Sequence, residues 1–279
     1  MTTPRRFHQV DVFTAEPLRG NPLAVVHDAQ GLSEAQMAAF ARWTNLSETT
    51  FLFPPTHPEA DYRVRILTPG GEMPFAGHPT LGSAHAWLAA GGQPKEPGVV
   101  VQECGVGLVQ VRREGARLAF AAPPTKVEAV DAGLLGQVCA ALGLAPAQLK
   151  ASAWLTNGPR QLALELDSAD TVLGLRPDHG ALKLLCDVGV VGRHAPGGPA
   201  DVEVRFFVPN HGIAEDPVTG SFNANLARWL MADGRLPRRY TAAQGTCLGR
   251  AGRVHLHDDG RALWVGGDVV PLVEGTLRL

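Results

Sequence analysis

Along most of the chain, apolar and polar residues alternate over short runs that end at Gly, Pro or Asp. A period of two predicts half-buried strands. In the first half they fall at Val10–Phe13, Leu23–His27, Arg63–Leu67, Val99–Gln102, Leu108–Arg112 and Leu118–Ala121. Two stretches there read as helices instead. From Ser33 to Trp43 a helix is expected, and Ser33 with Gln36 has the spacing of a capping box. After His78-Pro79, the run TLGSAHAWLAA is apolar around its whole circumference, which predicts a helix buried on most sides. TGSFNANLARWLM has the same character in the second half. A buried helix among many short strands predicts an α+β fold, with a barrel-like, mostly antiparallel sheet wrapped around a central helix. A doubly wound parallel sheet would need regular strand–helix alternation, which is absent.

The two buried helices lie in segments that resemble each other. Asp61–Gly92 and Asp201–Gly234 both open on an alternating strand ending in proline, pass through a glycine-bearing loop, and reach xPxxGS before the helix. The likeness extends downstream, where GLVQVRREGARLAF from Gly107 matches GRVHLHDDGRALWV from Gly252. It extends more weakly upstream, from NPLAVV at Asn21 to RQLALEL at Arg160. The chain therefore reads as a duplication: a first half over residues 1–122 and a second over 126–268, joined by Ala121-Ala122-Pro123-Pro124-Thr125.

Composition narrows the function. The 279 residues carry a formal charge of -2, which supplies no field to hold a polyanion, so nucleic acid is not an expected partner. No apolar run reaches the roughly 18–20 residues that span a bilayer, and MTTPRRFHQVDVF lacks the apolar core of a secretory signal. Four scattered cysteines without a CxxC pair suit reduced thiols, so a cytoplasmic protein is expected. Cys104 and Cys247 fall near related points of the two halves and are expected to be buried.

Candidate chemistry centres on the xPxxGS segments. A helix start presents open N–H groups and partial positive charge, so it attracts a carboxylate. Gly82, Ser83, Gly220 and Ser221 are small enough to admit one. If the halves pack about a pseudo-twofold axis, His78 and Asp216 occupy equivalent positions on one cleft. The competing reading makes His78 and Asp216 local caps and the glycines packing contacts. Glu48 lies between the Ser33 helix and the apolar run Phe51-Leu52-Phe53. Partial burial there would suit a general base, while a solvent-facing glutamate at a helix end fits the same sequence. His255 and His257 share one strand face without a third ligand, so no metal site is expected. GxGxxG, Walker A and GxSxG motifs are missing.

In combination VDVFTAEPLRGNPLAVV, NLSETTF, RILTPGGEMPFAGHPTLGSAHA, RFFVPNHGIAEDPVTGSFNANLA and AQGTCLGRAGRV resemble the phenazine-biosynthesis isomerase-like (PhzF-like) family over essentially the whole chain. The resemblance implies a fold similar to diaminopimelate epimerase: two pseudosymmetric halves with the active site between them. It also implies a strand at about 269–279 that completes the first half, a homodimer, and proton transfer without metal or organic cofactor. Glu48 matches the family's proton-carrying glutamate, and His78 with Asp216 its polar substrate contacts. Gly77, Thr80, Gly220 and Ser221 match substrate-binding positions, the last two at the carboxylate-holding helix start. Phe222 stands where a small residue is more usual, which would narrow the cleft. The epimerase branch has cysteines near Ala76 and Thr219, and this chain has none there, so racemisation by two thiols is not expected.

The function expected is therefore a cofactor-independent isomerase moving a proton on a small carboxylate-bearing amino or hydroxy acid, with Glu48 as general acid/base. The alternatives are a catalytically silent small-molecule-binding or interaction protein that keeps the fold, or an epimerase of another small acid.

Overall fold

The structure is a computed structural model that describes residues 3–211 and 213–279. The chain divides into two compact units. Unit 1 comprises residues 1–121 and 266–279, and unit 2 residues 122–265.

Unit 1 is built from β1 (Pro4–Val12), β2 (Asn21–Val26), α1 (Glu34–Thr44), β3 (Thr49–Phe53), β4 (Tyr62–Thr68), β5 (Gly71–Met73), α2 (Gly77–Ala89), β6 (Val99–Cys104), β7 (Gly107–Glu114) and β8 (Arg117–Ala121). Unit 2 contains β9 (Lys126–Glu128), α3 (Ala132–Leu142), β10 (Leu149–Thr156), β11 (Arg160–Leu166), α4 (Ala169–Gly174), α5 (His179–Lys183), β12 (Val188–Arg193), β13 (Val202–Phe207), β14 (Glu215–Asp216), α6 (Gly220–Ala232), β15 (Arg239–Gln244) and β16 (Gly252–Asp258). Strand β17 (Leu263–Gly267) carries the chain across the boundary, and β18 (Val269–Arg278) returns it to unit 1.

Strand pairing shows the duplication directly. In unit 1 β18, β1 and β2 pair antiparallel, β2–β3 is parallel, β3–β4 antiparallel, β4–β6 parallel, and β6–β7–β8 antiparallel. In unit 2 β9, β10 and β11 pair antiparallel, β11–β12 is parallel, β12–β13 antiparallel, β13–β15 parallel, and β15–β16 antiparallel. The sequence likenesses fall on matching elements: β2 on β11, and the β7–β8 hairpin on β16–β17. A parallel pair needs a crossover connection, and the buried helices supply it: α2 joins β4 to β6, and α6 joins β13 to β15. The fold is thus α+β with two units of one topology.

The helices take two roles. Helix α2 packs against strands on all sides, among them β1, β2, β7 and β8, and its first turns are fully buried. Helix α6 is enclosed likewise, with Phe222 stacked on Phe206 of β13. The other long helices lie on outer faces. Helix α1 buries Met37, Phe40 and Ala41 against Phe51 and Leu67, and it carries the expected capping box from Ser33 and Gln36. Helix α3, which the sequence pattern had not disclosed, buries Val138 and Leu142 against β10–β12. No helix among the described residues is long and apolar enough to cross a membrane.

Candidate active site

Glu48 stands one residue before β3, in a segment pinned on both sides. Helix α1 ends at Asn45, whose left-handed backbone (φ 53°) turns the chain, a conformation Asn tolerates better than most residues. Ser47 Oγ then bonds Asn21 Oδ1 of β2 at 3.3 Å, and the Thr49 and Thr44 hydroxyls meet at 3.1 Å. Between these ties the Glu48 side chain is only 15% exposed, and its Oε2 lies 3.6 Å from His78 Nε2. A solvent-facing glutamate is excluded. His78, 5% exposed, is the second residue of α2, after Gly77. It does not cap the helix, because the cap position is Ala76. Unit 1 therefore joins a partly buried carboxylate to an imidazole on the first turn of a buried helix.

Thr80 is fully buried near the start of α2. Its hydroxyl donates to Ala76 C=O (2.9 Å) and accepts from Gln102 Nε2 (3.0 Å), while Tyr62 OH donates to Gln102 Oε1 (2.9 Å). Burial pushes the Tyr62 phenol well above its ordinary range, so it remains a donor.

In unit 2 Asp216 lies on the two-residue strand β14, ahead of α6. Thr219, the cap residue, donates its hydroxyl to Asp216 Oδ2. Gly220 and Ser221 are the first two residues of α6. Asn157 Nδ2 holds the Ser221 carbonyl (2.9 Å), and Gln161 Nε2 reaches its Oγ (3.3 Å). Beneath β14, Arg205 grips both oxygens of Glu215 (3.0 and 2.7 Å) and donates to the Val172 and Leu175 carbonyls (3.2 and 3.0 Å). The residue next to Asp216 is thereby anchored in the unit's interior.

The family profile for phenazine biosynthesis-like proteins matches residues 10–275. The chain belongs to that family. It is 33% identical to the trans-2,3-dihydro-3-hydroxyanthranilate isomerase of Pseudomonas aeruginosa, over 98% of this chain and 99% of that one. It is 34% identical to antisense-enhancing sequence 1 of Schizosaccharomyces pombe, over 98% of each chain. The fold matches the crystal structure of a Bacillus anthracis phenazine biosynthesis protein of the PhzF family with a TM-score of 0.85, at 20% identity, over 99% of this chain and 100% of that one. As a member of this enzyme family the chain is an isomerase.

Several expectations need correction. Helix α2 begins at Gly77, so Gly82 and Ser83 are its sixth and seventh residues, not its start. Both are interior: a Cβ on Gly82 would lie 2.5 Å from Leu23 Cδ2, and Ser83 Oγ bonds Thr50 Oγ1 at 2.9 Å. Helix α6 begins at Gly220 and has the same 13-residue length as α2. Gly77 therefore corresponds to Gly220 and His78 to Ser221, so His78 and Asp216 are not structural equivalents. The xPxxGS likeness places the halves out of register by several residues. Buried glutamines confirm the helix register, since Gln102 bonds the fourth residue of α2 (Thr80) and Gln244 the fourth of α6 (Asn223, 2.8 Å). Phe222 points into the interior of unit 2 rather than narrowing a cleft. Its ring lies over Gly189 of β12, which has no side chain to oppose it. Cys247 is exposed and Cys104 half-buried, contrary to expectation, because Cys104 ends β6 and Cys247 lies in the short helical turn after β15. His255 Nδ1 meets Thr241 Oγ1 at 3.0 Å.

The residues that sequence reading missed are Gln102, Gln244 and the Arg205–Glu215 pair. Their signal was present: a glutamine within VVVQEC or YTAAQG, and an arginine within VEVRFF, are polar groups in apolar strands that must find partners when buried.

Proposed function

We propose that the chain shifts a proton within a small amino or hydroxy acid, with Glu48 as the group that carries it. The observation behind this reading is the Glu48 carboxylate, 15% exposed and 3.6 Å from the His78 imidazole at the first turn of α2. The Glu48 carboxylate takes a proton from a saturated carbon beside the substrate's carboxylate or conjugated system. The electron pair left behind spreads into that π-system, and protonated Glu48 returns the proton at a second carbon. Composition is unchanged and no redox equivalent is needed. His78 holds Glu48 in place and answers charge that develops as the C–H bond breaks. Fixed donors of this kind act without reorganising and contribute several kcal/mol to such a transition state. The open N–H groups of Gly220 and Ser221 suit a carboxylate, and Asp216 suits an amino or hydroxyl substituent.

The first substrate to try is trans-2,3-dihydro-3-hydroxyanthranilate, which the Pseudomonas aeruginosa relative is named for, followed by other cyclic amino and hydroxy acids. In deuterated water the protein should incorporate solvent deuterium into a compound it isomerises. Glu48→Gln should reduce that incorporation by about 10²-fold or more, the scale of general acid–base catalysis, with ligand binding retained. Unchanged exchange in the variant would remove Glu48 from the reaction.

A further inference from the structure

Gln244 is the last residue of β15, and its side chain is fully buried. Its amide takes part in four hydrogen bonds. Oε1 accepts from the Thr219 backbone N–H (3.0 Å) and from Asn223 Nδ2 (2.8 Å). Nε2 donates to the Asp216 backbone carbonyl (3.1 Å) and to Thr219 Oγ1 (2.9 Å). Two of these partners are backbone groups with fixed roles: an N–H only donates and a carbonyl only accepts. The amide therefore has one possible orientation, and Thr219 Oγ1 must receive a proton from it. The single Thr219 hydroxyl proton is then directed to its remaining partner, the Asp216 carboxylate.

Unit 1 provides an internal comparison. Gln102 meets the fourth residue of α2, as Gln244 meets the fourth of α6, but its other side-chain bonds run to Tyr62 and Cys104 on the strands of unit 1. Only the glutamine of unit 2 extends to the segment ahead of the helix. Thr219, moreover, makes no side-chain capping bond to α6, so its hydroxyl is not serving the helix start.

We infer that Gln244 is a positioning residue which, through Thr219, holds the Asp216 carboxylate in one orientation as the acceptor for an amino or hydroxyl group of the substrate. The substrate contact at Asp216 rests on the function proposed above, whereas the orientation of Asp216 does not.

The test uses Thr219→Val, Gln244→Met and the double variant in the full-length protein, with Thr219→Ser as the conservative variant. Crystal structures read the orientation without any substrate. The Asp216 side chain should turn to a new or split rotamer in Thr219→Val and Gln244→Met, and keep its place in Thr219→Ser. An unmoved carboxylate in both overturns the inference. Thr219→Val leaves the Gln244 backbone bonds intact, so it serves if Gln244→Met does not fold. Kinetics then tests use of the orientation on any compound that the wild-type protein labels with deuterium. Each single variant should lower kcat/KM about tenfold, the scale of one lost hydrogen bond to a charged group. The double variant should fall no further, because both substitutions cut one relay. Additive losses overturn the relay. Asp216→Asn without effect would instead remove Asp216 from the function proposed above and leave the structural result standing.

Discussion

His8 and His27 form a buried pair in unit 1, remote in sequence from Glu48 and His78. His8 Nδ1 and His27 Nε2 are 2.8 Å apart, with the rings edge to face. Burial, then the neighbouring His8 and Arg6, push His27 down to about 4. Burial also lowers His8, although Glu274 of β18, 3.6 Å from its Nε2, partly offsets this. A histidine whose folded value lies below its ordinary 6.5 is protonated more readily when unfolded. Stability from this pair is therefore complete above about pH 6.5 and is lost as pH falls towards 4. The loss for His27 is on the order of 3 kcal/mol. Urea midpoints measured from pH 7 to pH 4 should fall steeply, and His27→Gln should flatten the curve while lowering stability at pH 7. A wild-type midpoint that is flat over this range would contradict the assignment. Single residues also show how far sequence reading reaches. Glu48 was a candidate because it stands beside an apolar run, but that run is equally compatible with a solvent-facing helix end. The ties of Ser47 to Asn21 and of Thr49 to Thr44 exclude that end, and they link residues on separate elements.

At the scale of elements, α6 and its strands are a matched set. Phe222 needs the space that Gly189 leaves, and it stacks on Phe206 at 4.7 Å. Gly189→Ala is expected to lower stability by about 1–3 kcal/mol through overpacking, and Phe222→Leu in the same chain should restore part of it. Chemical denaturation of the two singles and the double measures the coupling, and a double that is simply additive would show that the two sites do not share that space. Strands and the α1 capping box were legible because they depend on neighbours a few positions away. Helix α3 was not, because it joins β9 to β10, and the matching strands of unit 1, β18 and β1, have no helix between them for the internal repeat to disclose. The matching of α2 with α6 was misread for a different reason: Gly-Ser after proline marks a helix interior in one unit and a helix start in the other. Which of the two it becomes depends on where the loop from the preceding strand lets the chain enter the barrel.

The whole chain leaves unit 1 after β8, builds unit 2, and returns through β18, which pairs with β1 from Pro4 to Val12. Ending the chain at Asp268 would strip β1 of that neighbour and expose an open sheet edge. The truncated protein is expected to lose about 10 °C or more in Tm or to aggregate, as read by calorimetry and light scattering. A Tm within a few degrees of the full chain would show that β18 is dispensable. Alternation, turn residues and the two wholly apolar helices were enough to derive the fold class, the duplication and a family resemblance from the linear chain, because each depends on local spacing or on shared motifs. Three-dimensional packing alone chose which helix turns are equivalent, turned Phe222 inward, brought Glu48 to His78, and tied Gln244 through Thr219 to Asp216. Those pairings join residues from about 20 to 30 positions apart, and only burial, which forces each polar group to find a partner, selects among the many that local spacing permits.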